Sequence, residues 1–101
     1  MPRARLLLLL LTLTTIAASA QDFKGLFSEG EKAYAKKDYA NAITLFSQAR
    51  DLNAENAKVN YRLGMSYLYS TTKSKSLPYL EKAYQLDANV DSEINYHLGT
   101  A

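Results

Sequence analysis

Few residues of this chain are equipped for chemistry. His97 is the single histidine among 101 residues, and there is no cysteine. A metal centre needs three or four convergent ligands, so one histidine without thiolates holds none. Serines are frequent, yet no G-x-S-x-G elbow presents one for attack, and a lone histidine leaves little for a triad. Neither G-x-x-x-x-G-K-[ST] nor G-x-G-x-x-G occurs, so nothing cradles a phosphate. Glu29 and Glu31, like Asp91 and Glu93, stand two apart and would point to different faces of a helix. The sequence therefore gives no catalytic, cofactor-binding or metal residue, and the expected activity is not enzymatic.

The missing cysteines also exclude disulfides and a lipid-modified leader. The start nevertheless reads as a signal: Arg3 and Arg5, an apolar run over residues 6–16, then Ala17-Ala18-Ser19-Ala20. That order matches a cleavable leader, residues 1–20, with an A-x-A site before Gln21. As a helix the run would rise about 16 Å, against about 30 Å of hydrocarbon, so no membrane span is expected after cleavage. Arg3 and Arg5 carry the whole net charge of +2, leaving ten basic against ten acidic residues. Nucleic-acid binding needs a basic patch. Lys36-Lys37 and Lys73/Lys75 read instead as solvated helix ends and turns, and no nucleic-acid partner is expected.

Behind the leader the chain repeats itself. Gly30 and Gly64, Ala49 and Ala83, Leu52 and Leu86, and Phe46 and Leu80 are each 34 positions apart. Residues 23–56 and 57–90 are two copies of one unit, and 91–101 starts a third. There Tyr61-Arg62-Leu63-Gly64 returns as Tyr96-His97-Leu98-Gly99, with 35 positions between the glycines and the extra residue near Val90 to Ser92.

Each copy reads as two amphipathic helices. Asp22 can cap a helix with Phe23, Leu26, Phe27, Ala33 and Tyr34, and Asp38 one with Tyr39, Ala42, Ile43, Phe46, Ala49 and Leu52. Asn56 can cap Val59, Leu63, Tyr67 and Leu68; after Ser70-Thr71-Thr72 come Leu77, Leu80, Ala83, Tyr84 and Leu86, with Pro78 near the start. The glycines and alanines should sit where two helices approach closely, with Phe46, Leu80, Tyr39 and Tyr67 filling the space beside them.

These residues resemble the tetratricopeptide repeat family: Leu63-Gly64, Tyr67, Leu80 and Ala83 in the second copy, and Gly30, Ala42, Phe46 and Ala49 in the first. There is no Trp, Glu29 stands in the Leu place, Ser76 in the middle Ala place, and Ala54 and Ala88 in the closing Pro place. The resemblance implies an all-α solenoid of antiparallel helix pairs over residues 21–101, two complete units and the start of a third. It also implies a concave groove, lined by first helices, for a protein or peptide partner.

On the family's helix faces Tyr34, Tyr61, Met65 and Tyr69 are the partner-binding candidates. Their competing role is packing against neighbouring units. Phe27 and Glu31 hold the places where the carboxylate-clamp members carry Lys and Asn, so that mode is not expected.

A solenoid of this kind needs about three units and a capping helix. Because Ala101 falls within a first helix, the sequence is expected to be cut from a longer protein or completed by a partner. The leader, Tyr-Arg-Leu-Gly-Met-Ser-Tyr-Leu and Ser-Leu-Pro-Tyr-Leu-Glu-Lys-Ala together resemble the N-terminal repeats of Bacteroidetes-type envelope proteins. Those also carry PD40 propeller and OmpA-like peptidoglycan-binding domains. The expectation is an exported scaffold, periplasmic or outer-membrane-associated, with any peptidoglycan attachment made by domains not present here. The alternative is an adaptor preceding an enzymatic domain beyond residue 101.

Overall fold

A computed structural model of the protein describes residues 22–101. The expected leader and its cleavage site lie outside the described residues. Five α-helices follow one another: α1 over residues 22–35, α2 Tyr39–Leu52, α3 Ala57–Leu68, α4 Ser76–Leu86 and α5 Ile94–Thr100. Among the described residues there is no strand, and no helix is long and apolar enough to cross a membrane. The architecture is the expected all-α array of helix pairs.

Two of the three expected caps form. The Asn41 N–H donates to Asp38 Oδ1 at 3.3 Å, and the Val59 N–H to Asn56 Oδ1 at 2.9 Å, each satisfying a donor that the first turn leaves open. Asp22, by contrast, is already helical and is not the cap the sequence suggests. Between α1 and α2 the chain reverses in three residues. The Asp38 N–H donates to Ala33 O and the Lys37 N–H to Tyr34 O, a Schellman closure with Lys37 at φ 62° in the position that usually takes glycine.

The matching turn of the second unit is longer for identifiable reasons. Thr72 occupies Asp38's place but makes no cap, and Lys73–Lys75 form a 3₁₀ turn where α2 already has its first α-helical residues. Pro78 has no N–H to give to Ser74, so an α-helix cannot run back through that turn, and α4 starts at Ser76. Ser70 Oγ braces the reversal, donating to Tyr67 O and accepting from the Thr72 N–H. The extra residue before the third unit is taken up in the α4–α5 connection, where Asp87 and Asp91 each accept the N–H two residues on.

Packing follows the 34-residue period. A Cβ built on Gly30 would lie 2.7 Å from the Phe46 ring, and one on Gly64 would lie 2.7 Å from Cγ and Cδ2 of Leu80. In both units the glycine meets the residue 16 positions later, on the second helix of its own pair. Ala42, Ala49 and Ala83 are fully buried alongside, as the close-approach reading requires. Tyr67 stacks on Tyr79 at 5.5 Å, across α3 and α4. Leu52, expected on the packed stripe of α2, and Leu77 and Tyr84, expected on that of α4, are instead exposed: the buried positions are Ala42, Phe46 and Ala49 in α2 and Ser76, Leu80 and Ala83 in α4.

Buried Asn60 ties the units together. Its Oδ1 accepts from Arg50 Nε at 2.6 Å, while its Nδ2 donates to Ala54 O and Asn56 O, satisfying the connection between α2 and α3. Buried Ser76 is the opposite case, since its hydroxyl has no hydrogen-bond partner.

Gly64→Ala should therefore lower stability by about 1–3 kcal/mol through overpacking. Gly25→Ala, where an added Cβ meets nothing within 4 Å, should raise it by about 1 kcal/mol through helix propensity. Ser76→Ala, which restores the residue found 34 positions earlier at Ala42, should stabilise by about 1 kcal/mol by removing an unpaired hydroxyl. Thermal melts of the three variants check all of these signs.

Candidate functional site

The four expected partner-binding residues fall into two environments. Tyr61 and Met65 are 5% and 2% exposed and pack with Leu80, Ala83 and Ile94. They hold α4 and α5 against α3, which is the packing role that competes with ligand contact. Burial, reinforced by the negative charge of Asp91, pushes the Tyr61 hydroxyl's pKa well up and keeps it protonated. Tyr69 is 52% exposed at the end of α3, and Tyr34 is half-buried on α1.

The structure joins Tyr34 and Tyr69 through Tyr39, whose place in the repeat predicts packing alone. Tyr39 meets the Tyr34 ring edge-on at 5.7 Å and the Tyr69 ring at 5.3 Å. Arg62 lies over the Tyr34 ring at 4.9 Å and near that of Tyr61 at 5.9 Å. Its Nε is 2.7 Å from Glu31 Oε1 without the alignment of a hydrogen bond, so the contact is an ion pair. Burial raises the Tyr34 pKa, and the Arg62 cation partly offsets this. Met65 does not join this row.

Beside Tyr69 an open cavity of about 340 Å³ is lined by Leu68, Tyr69, Lys73, Tyr96, His97 and Thr100. The sequence alone places Lys73 in a turn and gives His97 no partner. The 3₁₀ turn brings Lys73 to the cavity, and α5 brings His97 to within 3.5 Å of Glu93 and into ring contact with Tyr61 and Tyr96. The available signal is the recurrence of Tyr61-Arg62 as Tyr96-His97. Among the described residues, no group of three or more His, Cys, Asp or Glu could hold a metal ion. What the arrangement offers is aromatic area, one ammonium group and hydroxyls, which suit recognition of another chain.

No family model matches the chain, and no solved structure does. Over 73 residues, 67% of this chain, it is 34% identical to Superkiller complex protein 3 of Mus musculus. The match spans only 5% of that protein's length. With this similarity, the 34-residue period and the glycine-to-large-side-chain contact within each pair, the helical repeats are tetratricopeptide-like.

Tyr61→Ala should cost about 3 kcal/mol, as truncation of a buried aromatic does. Tyr69→Ala should stay within about 1 kcal/mol, the order of a single aromatic pair. Urea titrations of both variants check the difference.

Proposed function

We propose that the protein is an exported scaffold that binds a protein or peptide partner along the face formed by its first helices and the start of α2. The observation that carries this reading is the continuous aromatic row Tyr34, Tyr39 and Tyr69, which opens into the cavity rimmed by Lys73 and Tyr96. Tyrosines give contact area and a hydroxyl at low entropy cost. Lys73 favours a partner segment that places an acidic group beside apolar residues. The similarity to Superkiller complex protein 3, by name a member of a complex, points the same way.

Export rests on the two arginines, the short apolar run and the small residues before Gln21. It leads to the periplasm or the inner side of the outer membrane, where scaffolding of an envelope complex is the role we assign. Attachment to peptidoglycan would belong to domains outside this sequence.

A photo-crosslinking residue at position 69 should capture one defined envelope protein, whereas the same residue in place of exposed Gln48 on α2 should not. Tyr69→Ala should weaken capture about tenfold, the effect of one anchor, without moving the melting point by more than a few degrees. Equal adducts from both positions would contradict the proposed face. Mass spectrometry of the exported protein should find an N-terminus at Gln21, and a retained Met1 would contradict export by cleavage.

A further inference from the structure

Charge on this chain is sorted between the two ends of the helix pairs. The turns within pairs, residues 36–38 and 69–75, hold Lys36, Lys37, Lys73 and Lys75 against one carboxylate, Asp38. The connections between units, residues 53–56 and 87–93, hold Glu55, Asp87, Asp91 and Glu93 and no Lys or Arg. Contacts across the units put each set at its own end. Tyr39 at the start of α2 lies 5.3 Å from Tyr69 at the end of α3, which brings the two turns together. At the opposite end Lys82, late in α4, reaches Glu55 at 3.4 Å. Ten basic and ten acidic residues balance behind the expected leader, so net charge conceals this basic edge.

All four lysines are exposed, and among the described residues none pairs with a carboxylate. Asp38 is taken up as the cap of α2. Ammonium groups gathered on one edge attract anions and set the register of a charged partner. The same edge is also aromatic: Lys36 and Lys37 stand between Tyr34 and Tyr39 in the chain, and Lys73 shares the cavity with Leu68, Tyr69 and Tyr96. A partner that satisfies both features carries carboxylates and apolar side chains side by side. Single-stranded nucleic acid fits less well, because bases need open ring faces. Here Arg62 already lies over Tyr34, and Tyr39 is engaged by two rings.

We infer that the edge formed by the turns within pairs is the contact surface for an acidic segment of a protein partner. Its carboxylates pair with Lys36, Lys37, Lys73 and Lys75, while its apolar side chains lie on the tyrosine row and in the cavity. This rests on the partner face proposed above and adds the chemistry that the partner must bring. The acidic end of the units repels such a segment, so it is held to one edge.

The probe is a fluorescein-labelled peptide of repeated Glu-Glu-Leu triplets, added to the 101-residue chain and followed by fluorescence anisotropy. At about 10 mM salt, where the screening length is about 30 Å, saturable binding is expected. Counterparts with Gln for Glu, or Gly for Leu, should bind about tenfold more weakly. The double variant Lys73→Glu/Lys75→Glu should also weaken binding about tenfold or more. Lys24→Glu/Lys58→Glu makes the same change in net charge at exposed positions near the other end of the first helices, and should stay within about twofold of the parent. Binding that ignores the Lys73/Lys75 reversal, or that falls equally in both double variants, would overturn the inference. So would equally tight, Lys73-dependent binding of a thymidine oligonucleotide or of phosphatidylglycerol vesicles, since the edge would then serve a different class of partner. If photo-crosslinking from position 69 still captures its partner and the Lys73→Glu/Lys75→Glu variant does so undiminished, the partner face stands and this inference alone falls.

Discussion

Everything in the fold depends on how closely two helices of a pair approach at a glycine. At Gly30 and Gly64 the absent side chain leaves room for Phe46 and Leu80 to rest on the neighbouring main chain. The surrounding alanines, fully buried, let the two backbones stay at that separation. Interiors are packed to crystal-like density, so this contact fixes the register of each pair, and the pair's register then fixes where the next unit starts. The caps and turns deliver helices of the right length to the contact; they do not create it.

Connections between units carry the polar part of the structure. Asn60 is buried only because Arg50 and two main-chain carbonyls occupy its oxygen and nitrogen, and Arg50 in turn lies over Tyr79 at 5.2 Å. That network links α2, α3 and α4 across two units. Arg62 does the same between α1 and α3, paired with Glu31 and covered by Tyr34. Adjacent units are therefore joined by apolar contact reinforced by two partly buried cations, and the tyrosines left on the first-helix face inherit fixed positions from them. A rigid aromatic row of that kind is what a recognition surface needs, because little entropy is lost when a partner settles on it.

The 34-residue coincidences make the helix pairs legible before any coordinates, since only a repeated contact would place glycine, large apolar residue and alanine at constant separation. Asp38 and Asn56 are legible as caps because capping is local. What the sequence hides is set by distant parts of the chain. On α3 alone Tyr61 and Met65 read equally as groove or packing residues, and packing prevails because α5 and α4 close over them. Tyr39 looks like filler, and it bridges Tyr34 to Tyr69 because the short Schellman turn holds the start of α2 beside α3. The cavity depends on a 3₁₀ turn forced by Pro78 and by the missing cap at Thr72, two local effects whose joint result no periodicity displays. Asn60 gives only a weak signal, an amide inside an apolar stretch.

The central claim is that Gly64 and Leu80 act as one unit in holding a helix pair together. A double-mutant cycle of Gly64→Ala, Leu80→Ala and the double variant, followed by denaturant unfolding, measures this directly. If the contact governs the pair, alanine at 64 is costly opposite leucine and nearly free opposite alanine, giving a coupling above about 0.5 kcal/mol. Strict additivity of the two substitutions would show that the residues act independently and would contradict a fold organised around the glycine contact.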